Sequence, residues 1–186
     1  RATLGGNLVN ASPAADSPPA LLVYDAEVTL VSAGGSRRLP YRDFHLDYKK
    51  TSLRPDELLF SIHLPRTYDG YVSFLRKVGT RKAQAISKVA IAALARTRAG
   101  RIEDIRIAAA SLREIPLRLV ATEQALLHQP VSGEQAAAAA ARARASLLAE
   151  TLPIDDIRST ARYRSAVAAN LVAEFLELLA SGGAVR

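Results

Sequence analysis

Arg1-Ala2-Thr3-Leu4-Gly5-Gly6-Asn7-Leu8-Val9-Asn10-Ala11-Ser12-Pro13-Ala14-Ala15-Asp16-Ser17-Pro18-Pro19 carries more polar chemistry in fewer residues than any other stretch of the chain. The Gly5-Gly6 pair removes two side chains, so the backbone can bend sharply and approach a ligand closely. Consecutive N–H groups in such a bend form a concave nest suited to phosphate oxygens. Thr3, Asn7, Asn10 and Ser12 set short donors and acceptors around it. Asp16 adds a carboxylate able to accept hydrogen bonds from ribose or diol hydroxyls. Ser17 reads as a helix N-cap, with Pro18 in the first helical position. On its own, the same pattern also describes a plain turn followed by a capped helix, since a short motif counts only in its structural context.

Outward from this stretch the chain divides by composition. Residues 18–25 read as a short helix. Residues 26–32 alternate as a strand, 33–36 turn, and 37–41 return as the second strand of a hairpin. Residues 42–56 are polar and irregular. Residues 57–64 are a strand, with Leu58, Phe60 and Ile62 on one face, and Pro65 ends it. Residues 65–70 read as a linker, after which alanine, leucine and arginine dominate. There the expected elements are a strand at 71–78, a helix at 84–98 striped by Ile86, Val89, Ala90 and Ala93, a turn at Ala99-Gly100 and a strand at 102–109. A helix is expected at 117–128, and an alanine-rich helix at 133–150 capped by Ser132 with Gln135. Asp155-Asp156 read as a solvated loop with a helix-start charge, and Ser159-Thr160 as an N-cap. The last helix, 160–180, carries Val167, Leu171, Phe175 and Leu178 on one stripe and is stopped by Ser181-Gly182-Gly183. Strands under helices give an α+β class.

The 186 residues suffice for one medium domain or two small ones, and 49% are apolar. No apolar run approaches the roughly 18 residues that suggest a membrane span, and no signal-peptide pattern is present. Without cysteine, neither a disulfide nor a thiolate-held iron–sulfur cluster can form; the simplest setting is the cytoplasm. The net charge of +7 is spread among acids and is not interleaved with aromatics, so it reads as a solvated surface and docking face rather than a nucleic-acid site. His45, His63 and His128 have no metal-ligand spacing. No catalytic triad is arguable.

Three blocks carry a resemblance. Thr-Leu-Gly-Gly-Asn followed by Ala-Ser-Pro-Ala-Ala-Asp-Ser-Pro-Pro-Ala resembles the second FAD-binding motif of the molybdenum hydroxylase flavoproteins. Arg76-Lys77-Val78-Gly79-Thr80-Arg81-Lys82-Ala83-Gln84-Ala85-Ile86-Ser87-Lys88-Val89 resembles the bacterial xanthine dehydrogenase small subunit more than its relatives. Asp156-Ile157-Arg158-Ser159-Thr160-Ala161 with Tyr163-Arg164 resembles the family's C-terminal helix. The resemblance implies a β-rich remnant of a PCMH-type FAD-binding domain over residues 1–65. After it, residues 66–186 would form a CO dehydrogenase flavoprotein-like domain, a small antiparallel sheet packed on a helical bundle.

By the same resemblance, Thr3, Leu4, Gly5, Gly6 and Asn7 would hold FAD, and Asp16 would contact its nucleotide half. Leu59 would pack on the isoalloxazine ring, and Lys77, beside Arg76, would contact the flavin. The loop from Val78 to Ser87 would lie over the flavin where nicotinamide enters, with Arg81 and Lys82 forming a basic entrance and Gln84 standing where some relatives carry an acid. The 2Fe–2S clusters and molybdenum cofactor are expected elsewhere in a hetero-oligomer. Its partners would be a molybdopterin-binding large subunit and an N-terminal 2Fe–2S/FAD section, with NAD⁺ as acceptor. Because the chain opens directly on its binding motif, a preceding part is expected to have been cut away or to lie on another chain. The competing expectations are the FAD subunit of a carbon monoxide- or aldehyde-type hydroxylase and a non-catalytic flavoprotein-derived docking module.

Overall fold

A computed structural model of the chain describes residues 2–182; Gly183, assigned above to the final helix stop, lies outside them. Two short helices come first, α1 (Leu4–Val9) and α2 (Ser17–Val23). Next are β1 (Glu27–Ser32), β2 (Gly35–Pro40), a 3₁₀ turn (Tyr41–Asp43), and a small hairpin of β3 (His45–Asp47) and β4 (Lys50–Thr51). β5 (Leu58–His63) returns to pair with β1, giving a three-stranded antiparallel sheet in the order β2-β1-β5. The second section is a four-stranded antiparallel meander, β6 (Val72–Val78), β7 (Val89–Arg98), β8 (Arg101–Ala110) and β9 (Leu117–Arg118). It is followed by α3 (Val120–Leu126), α4 (Glu134–Glu150) and α5 (Ala161–Ala180). The class is α+β, as expected.

The meander is covered on both faces, and that arrangement positions everything else. Val89, Ile91, Ala93 and Ala95 of β7 pack with Leu126, Leu147 and Phe175 from the three later helices. Ala92 and Leu94, with Ala108 of β8, pack with Leu21, Leu22 and Val23 of α2 and with Val28 and Leu30 of β1. A strand buried on both faces needs apolar residues at both parities. This corrects the expected helix at 84–98. Residues 79–88 form a loop and 89–98 a strand. The Ile86/Val89/Ala90/Ala93 stripe matched a helical period only because nearly every position there is apolar, and Ile86 is in fact 52% exposed.

Three smaller expectations also change. On β5 the register slips opposite Thr29/Leu30, with Ser61 paired to Thr29 and Leu59 to Leu30. Phe60 is the extra residue of a bulge, and a bulge reverses which side chains face inward. Leu58 and Phe60 are therefore exposed while Leu59 and Ile62 turn toward the core. Leu117-Arg118 add an edge strand to β8, and only residues 120–126 of the expected helix are helical. Ser132 caps nothing: the N-cap of α4 is Gly133 at φ 83°, with no side-chain hydrogen bond. The Thr160 cap of α5 is as expected, its hydroxyl accepting from the Tyr163 amide.

One ion pair fastens the hairpin to the loop before β5. Arg37 donates to both carboxylate oxygens of buried Glu57, at 2.7 and 2.8 Å, and to the Ser52 carbonyl at 2.7 Å. The Arg54 amide donates to Glu57 at 2.8 Å. The Arg37 hydrogen bonds lead in holding the Glu57 carboxyl down from 4.5 to about 2. A depressed carboxyl stabilises the fold above its unfolded value and loses that contribution as pH falls through the folded one. The urea-midpoint advantage of the natural chain over Glu57→Gln should thus be constant above about pH 5 and close between pH 4.5 and about 2. An advantage unchanged down to pH 2 would show that the pair adds nothing.

Candidate functional site

The first stretch folds into α1 rather than the expected bend. Thr3 is its N-cap, with Oγ1 accepting from the Gly6 amide at 3.0 Å. Gly5-Gly6 therefore sit in a helical first turn, not in a nest of consecutive amides. Gly5 lies against Leu59, whose Cδ2 is 3.6 Å from where a Cβ would stand; at Gly6 a Cβ would press on Thr3 Oγ1 at 3.0 Å. Packing against the Thr3 cap thus constrains position 6, whereas a Cβ at position 5 would meet only ordinary van der Waals contact. Leu4 is 49% exposed on the same turn. At the other end of α1, His45 Nε2 lies 2.8 Å from the Leu8 carbonyl. Burial holds the His45 pKa below its usual value, so the neutral ring donates that bond.

Asn7 ties α1 to α2, its Oδ1 accepting from the Ser17 hydroxyl. Ser17 is the first helical residue and Asp16 the N-cap, one place earlier than expected. The Asp16 side chain makes no capping bond. Pro18 and Pro19 lack N–H groups and remove orphan donors from that helix end. The Asp16 carboxylate instead accepts from Lys77 Nζ, across 61 positions of chain, and from the Ser87 hydroxyl. The first two blocks singled out in the sequence thus converge on one carboxylate. Thr3 to Asn7 and Leu59 sit on the α1 side of this corner, and Asp16 with Lys77 on the other; Asn7–Ser17 joins them.

Ser87 is 1% exposed, and sequence reasoning missed it. Its carbonyl accepts from Ser111 Oγ at 3.1 Å, and the Ser111 amide donates to the Pro13 carbonyl at 2.8 Å. No spacing rule links positions 16, 87 and 111; only the pairing of β7 with β8 and the packing of α2 on both bring them together. Arg76 turns away from Lys77 to Glu174 of α5, at 2.9 Å. The third block contributes behind the site. Arg164 is 3% exposed and donates to the Lys88 carbonyl and to Asp156 Oδ1, both at 2.7 Å. Asp155 accepts from the Ala161 amide at the start of α5, as expected of a helix-start charge. Asp156 is a partly buried anchor rather than a solvated acid. Burial pushes its pKa up, but the Arg158 amide, the Arg164 guanidinium and the Ser159 amide together hold it below the usual range.

The loop between β6 and β7 is closed on itself. Arg81 donates to the carbonyls of Ala83, at 3.0 Å, and Gln84, at 2.6 Å. A Cβ on Gly79 would stand 2.9 Å from the Ala85 Cβ, so the glycine serves a close approach of the two loop ends. The loop leads into a strand, not the helix expected. Among the described residues no group of three or more His, Asp or Glu converges in a manner able to hold a metal ion. None of the described helices is long and apolar enough to cross a membrane.

Residues 1–67 match the FAD binding domain in molybdopterin dehydrogenase, and residues 75–179 match the CO dehydrogenase flavoprotein C-terminal domain. The chain belongs to the FAD-binding subunits of the molybdenum hydroxylase family. It is 34% identical over 134 residues to the xanthine dehydrogenase FAD-binding subunit of Escherichia coli O157:H7, covering 70% of this chain and 45% of that one. It is 28% identical to the glyceraldehyde dehydrogenase medium chain of Sulfolobus acidocaldarius, covering 89% of this chain and 57% of that one. Among solved structures, carbon monoxide dehydrogenase from Hydrogenophaga pseudoflava superposes with a TM-score of 0.85 at 28% identity, over 94% of this chain and 59% of that one. The chain spans about half the length of the curated relatives it matches.

The residues at the corner suit the family's cofactor. FAD presents phosphates, ribityl and ribose hydroxyls, and a flavin edge rich in carbonyl acceptors. The corner offers an ammonium, a carboxylate, the Thr3 hydroxyl and the Asn7 amide beside the exposed Leu4 and the half-buried Leu59. Lys77 and Asp16 keep 37% and 51% of their side-chain surface exposed, so both remain open to a ligand.

Proposed function

We propose that this chain is the FAD-carrying part of a xanthine dehydrogenase-type molybdenum hydroxylase, with NAD⁺ as the electron acceptor. The observation that supports this reading best is the convergence of Asp16 and Lys77 from two separate flavoprotein-like blocks onto one half-exposed ion pair. In the proposal, Thr3, Leu4, Gly5, Gly6 and Asn7 line the cofactor through α1 and its cap, and Asp16 accepts from a cofactor hydroxyl. Leu59 offers an apolar contact, and Lys77 places a cation at the flavin edge. FAD, when bound, supplies the electron-accepting chemistry; nearby protein charge tunes it. Residues 1–65 would belong to the FAD-binding domain and 66–186 to the C-terminal domain. The 2Fe–2S clusters and molybdenum cofactor would lie on partner sections of a cytoplasmic hetero-oligomer, including a molybdopterin-binding large subunit.

The xanthine-type reading draws on the 34% identity to the Escherichia coli subunit. A carbon monoxide- or aldehyde-type hydroxylase is the second reading, favoured by the carbon monoxide dehydrogenase superposition. For NAD⁺, the loop offers Lys82 as a basic residue, whereas Arg81 is engaged by its own loop carbonyls. In the full enzyme, Lys77→Ala should slow purine-dependent reduction of NAD⁺ about tenfold more than purine oxidation assayed with an artificial acceptor upstream of FAD, the scale of one lost charge-assisted contact. Equal losses in both assays would remove Lys77 from the flavin step. Absence of any purine-dependent turnover would favour the second reading.

A further inference from the structure

We propose that Ser87 is a positioning residue for the cofactor site, setting the orientation of the Asp16 carboxylate toward Lys77, with Arg164 holding Ser87 in place from behind. This rests on the reading of Asp16 and Lys77 as cofactor contacts, and it adds residues that the reading did not contain. A half-exposed ion pair is weak by itself, because two long side chains must be held in one geometry while water screens them. Asp16 and Lys77 are such a pair, with 51% and 37% of their side-chain surface exposed. Left to each other, they would sample several arrangements. The Ser87 hydroxyl supplies a second contact to the carboxylate. It donates to Asp16 Oδ1 while Lys77 holds Oδ2, so the two carboxylate oxygens are fixed from different directions. Ser87 itself is 1% exposed and cannot swing away.

The backbone carrying that hydroxyl is fastened on every side. Ser111 donates to the Ser87 carbonyl at 3.1 Å, and the Lys88 amide donates to the Val78 carbonyl at 2.8 Å, closing the loop. The Lys88 carbonyl accepts from Arg164, whose other prong is held by Asp156. Burying a guanidinium is costly unless its partners are well placed. An apolar side chain would fill the same space without that cost. The arginine differs from it in reaching the Lys88 carbonyl, one residue from Ser87. The third sequence block is thereby linked mechanically to the first two: Asp156, Arg164, Lys88, Ser87, Asp16, Lys77. Ser87 touches no ligand in this arrangement; it acts through Asp16.

The test is a double-mutant cycle on the full-length protein, read as the FAD dissociation constant from flavin fluorescence. Ser87→Ala, Asp16→Ala and the double variant are compared with the natural chain. Ser87→Ala is expected to weaken FAD binding roughly fivefold, the order expected when one hydrogen bond to a charged group is lost behind the contacting side chain. In the Asp16→Ala background, where the acceptor of the Ser87 hydroxyl is gone, the same substitution should change nothing further, because its effect passes through the carboxylate. Asp16→Ala weakening FAD while Ser87→Ala leaves binding unchanged, or adds its full effect in the double variant, would overturn the positioning role and leave the cofactor reading standing. If Asp16→Ala itself left FAD binding unchanged, the cofactor reading would fail, and the proposal with it.

Discussion

Replacing Arg164 with alanine is expected to destabilise the fold by about 3 kcal/mol, at the lower end of what breaking a buried ion pair costs. The lower end applies because Asp156 keeps 24% of its side-chain surface exposed, so water can partly replace the lost partner. For a chain of 186 residues that loss corresponds to a fall in melting temperature of about 10 °C. Two groups lose a hydrogen bond in the variant: the Lys88 carbonyl, and Asp156 Oδ1, which keeps the Arg158 and Ser159 amides. Arg164→Lys keeps the charge but cannot span both, since an ammonium is a point donor rather than a planar fork; about half the loss should remain. Thermal denaturation followed by circular dichroism checks both values. A fall of less than about 1 °C for Arg164→Ala, well under 1 kcal/mol, would mean that the buried guanidinium is energetically idle.

Lys77→Glu is expected to raise the FAD dissociation constant of the full-length protein about 100-fold, equivalent to about 2.7 kcal/mol. Two effects add. The substitution deletes the ammonium at the corner, and it places a second carboxylate beside Asp16, where like charges repel each other and any anionic cofactor. Lys77→Ala deletes the cation without adding the repulsion, so its effect should be smaller. Salt should separate the two components. The repulsion acts between exposed groups and is screened over about 10 Å at 0.1 M ionic strength, so the gap between the glutamate and alanine variants should narrow in 0.5 M salt. Equal affinity in all three proteins would mean that position 77 does not face the cofactor.

The parts of the fold that could be read from sequence were those whose two faces differ. The β1–β2 hairpin alternates cleanly and turns at Gly34-Gly35; α5 carries one apolar stripe between a threonine cap and a glycine stop. β7 was unreadable for the opposite reason. Its Val-Ala-Ile-Ala-Ala-Leu-Ala run is apolar throughout, buried by helices on one face and by α2 and β1 on the other, and alanine-rich sequence favours a helix locally. Only pairing with β6 and β8 settles the matter, and pairing is not a local property. The same limit applied at the site. Asp16 and Lys77 were each recognisable within a motif, but that they touch, and that Ser87 joins them, depends on how α2 packs on the meander. The glycines at 5 and 6 suggest a bend by themselves; the Thr3 cap makes them a helix, and Leu59 lies beneath it. The bulge at Phe60, which places Leu59 inward, also lies beyond a simple two-residue alternation.

The most direct test of the central claim is a crystal structure of the full-length protein with FAD bound. The cofactor should lie at the corner formed by α1, Leu59 and the Asp16–Lys77 pair, with Lys77 Nζ or the Asp16 carboxylate within hydrogen-bonding distance of it and Ser87 still donating to Asp16. A different cleft, of about 460 Å³, is available between α2 and the hairpin, lined by Asp25, Arg42, His63 and Arg118. FAD seated in that cleft, or anywhere that leaves Asp16 and Lys77 in contact only with each other and with Ser87, would contradict the account.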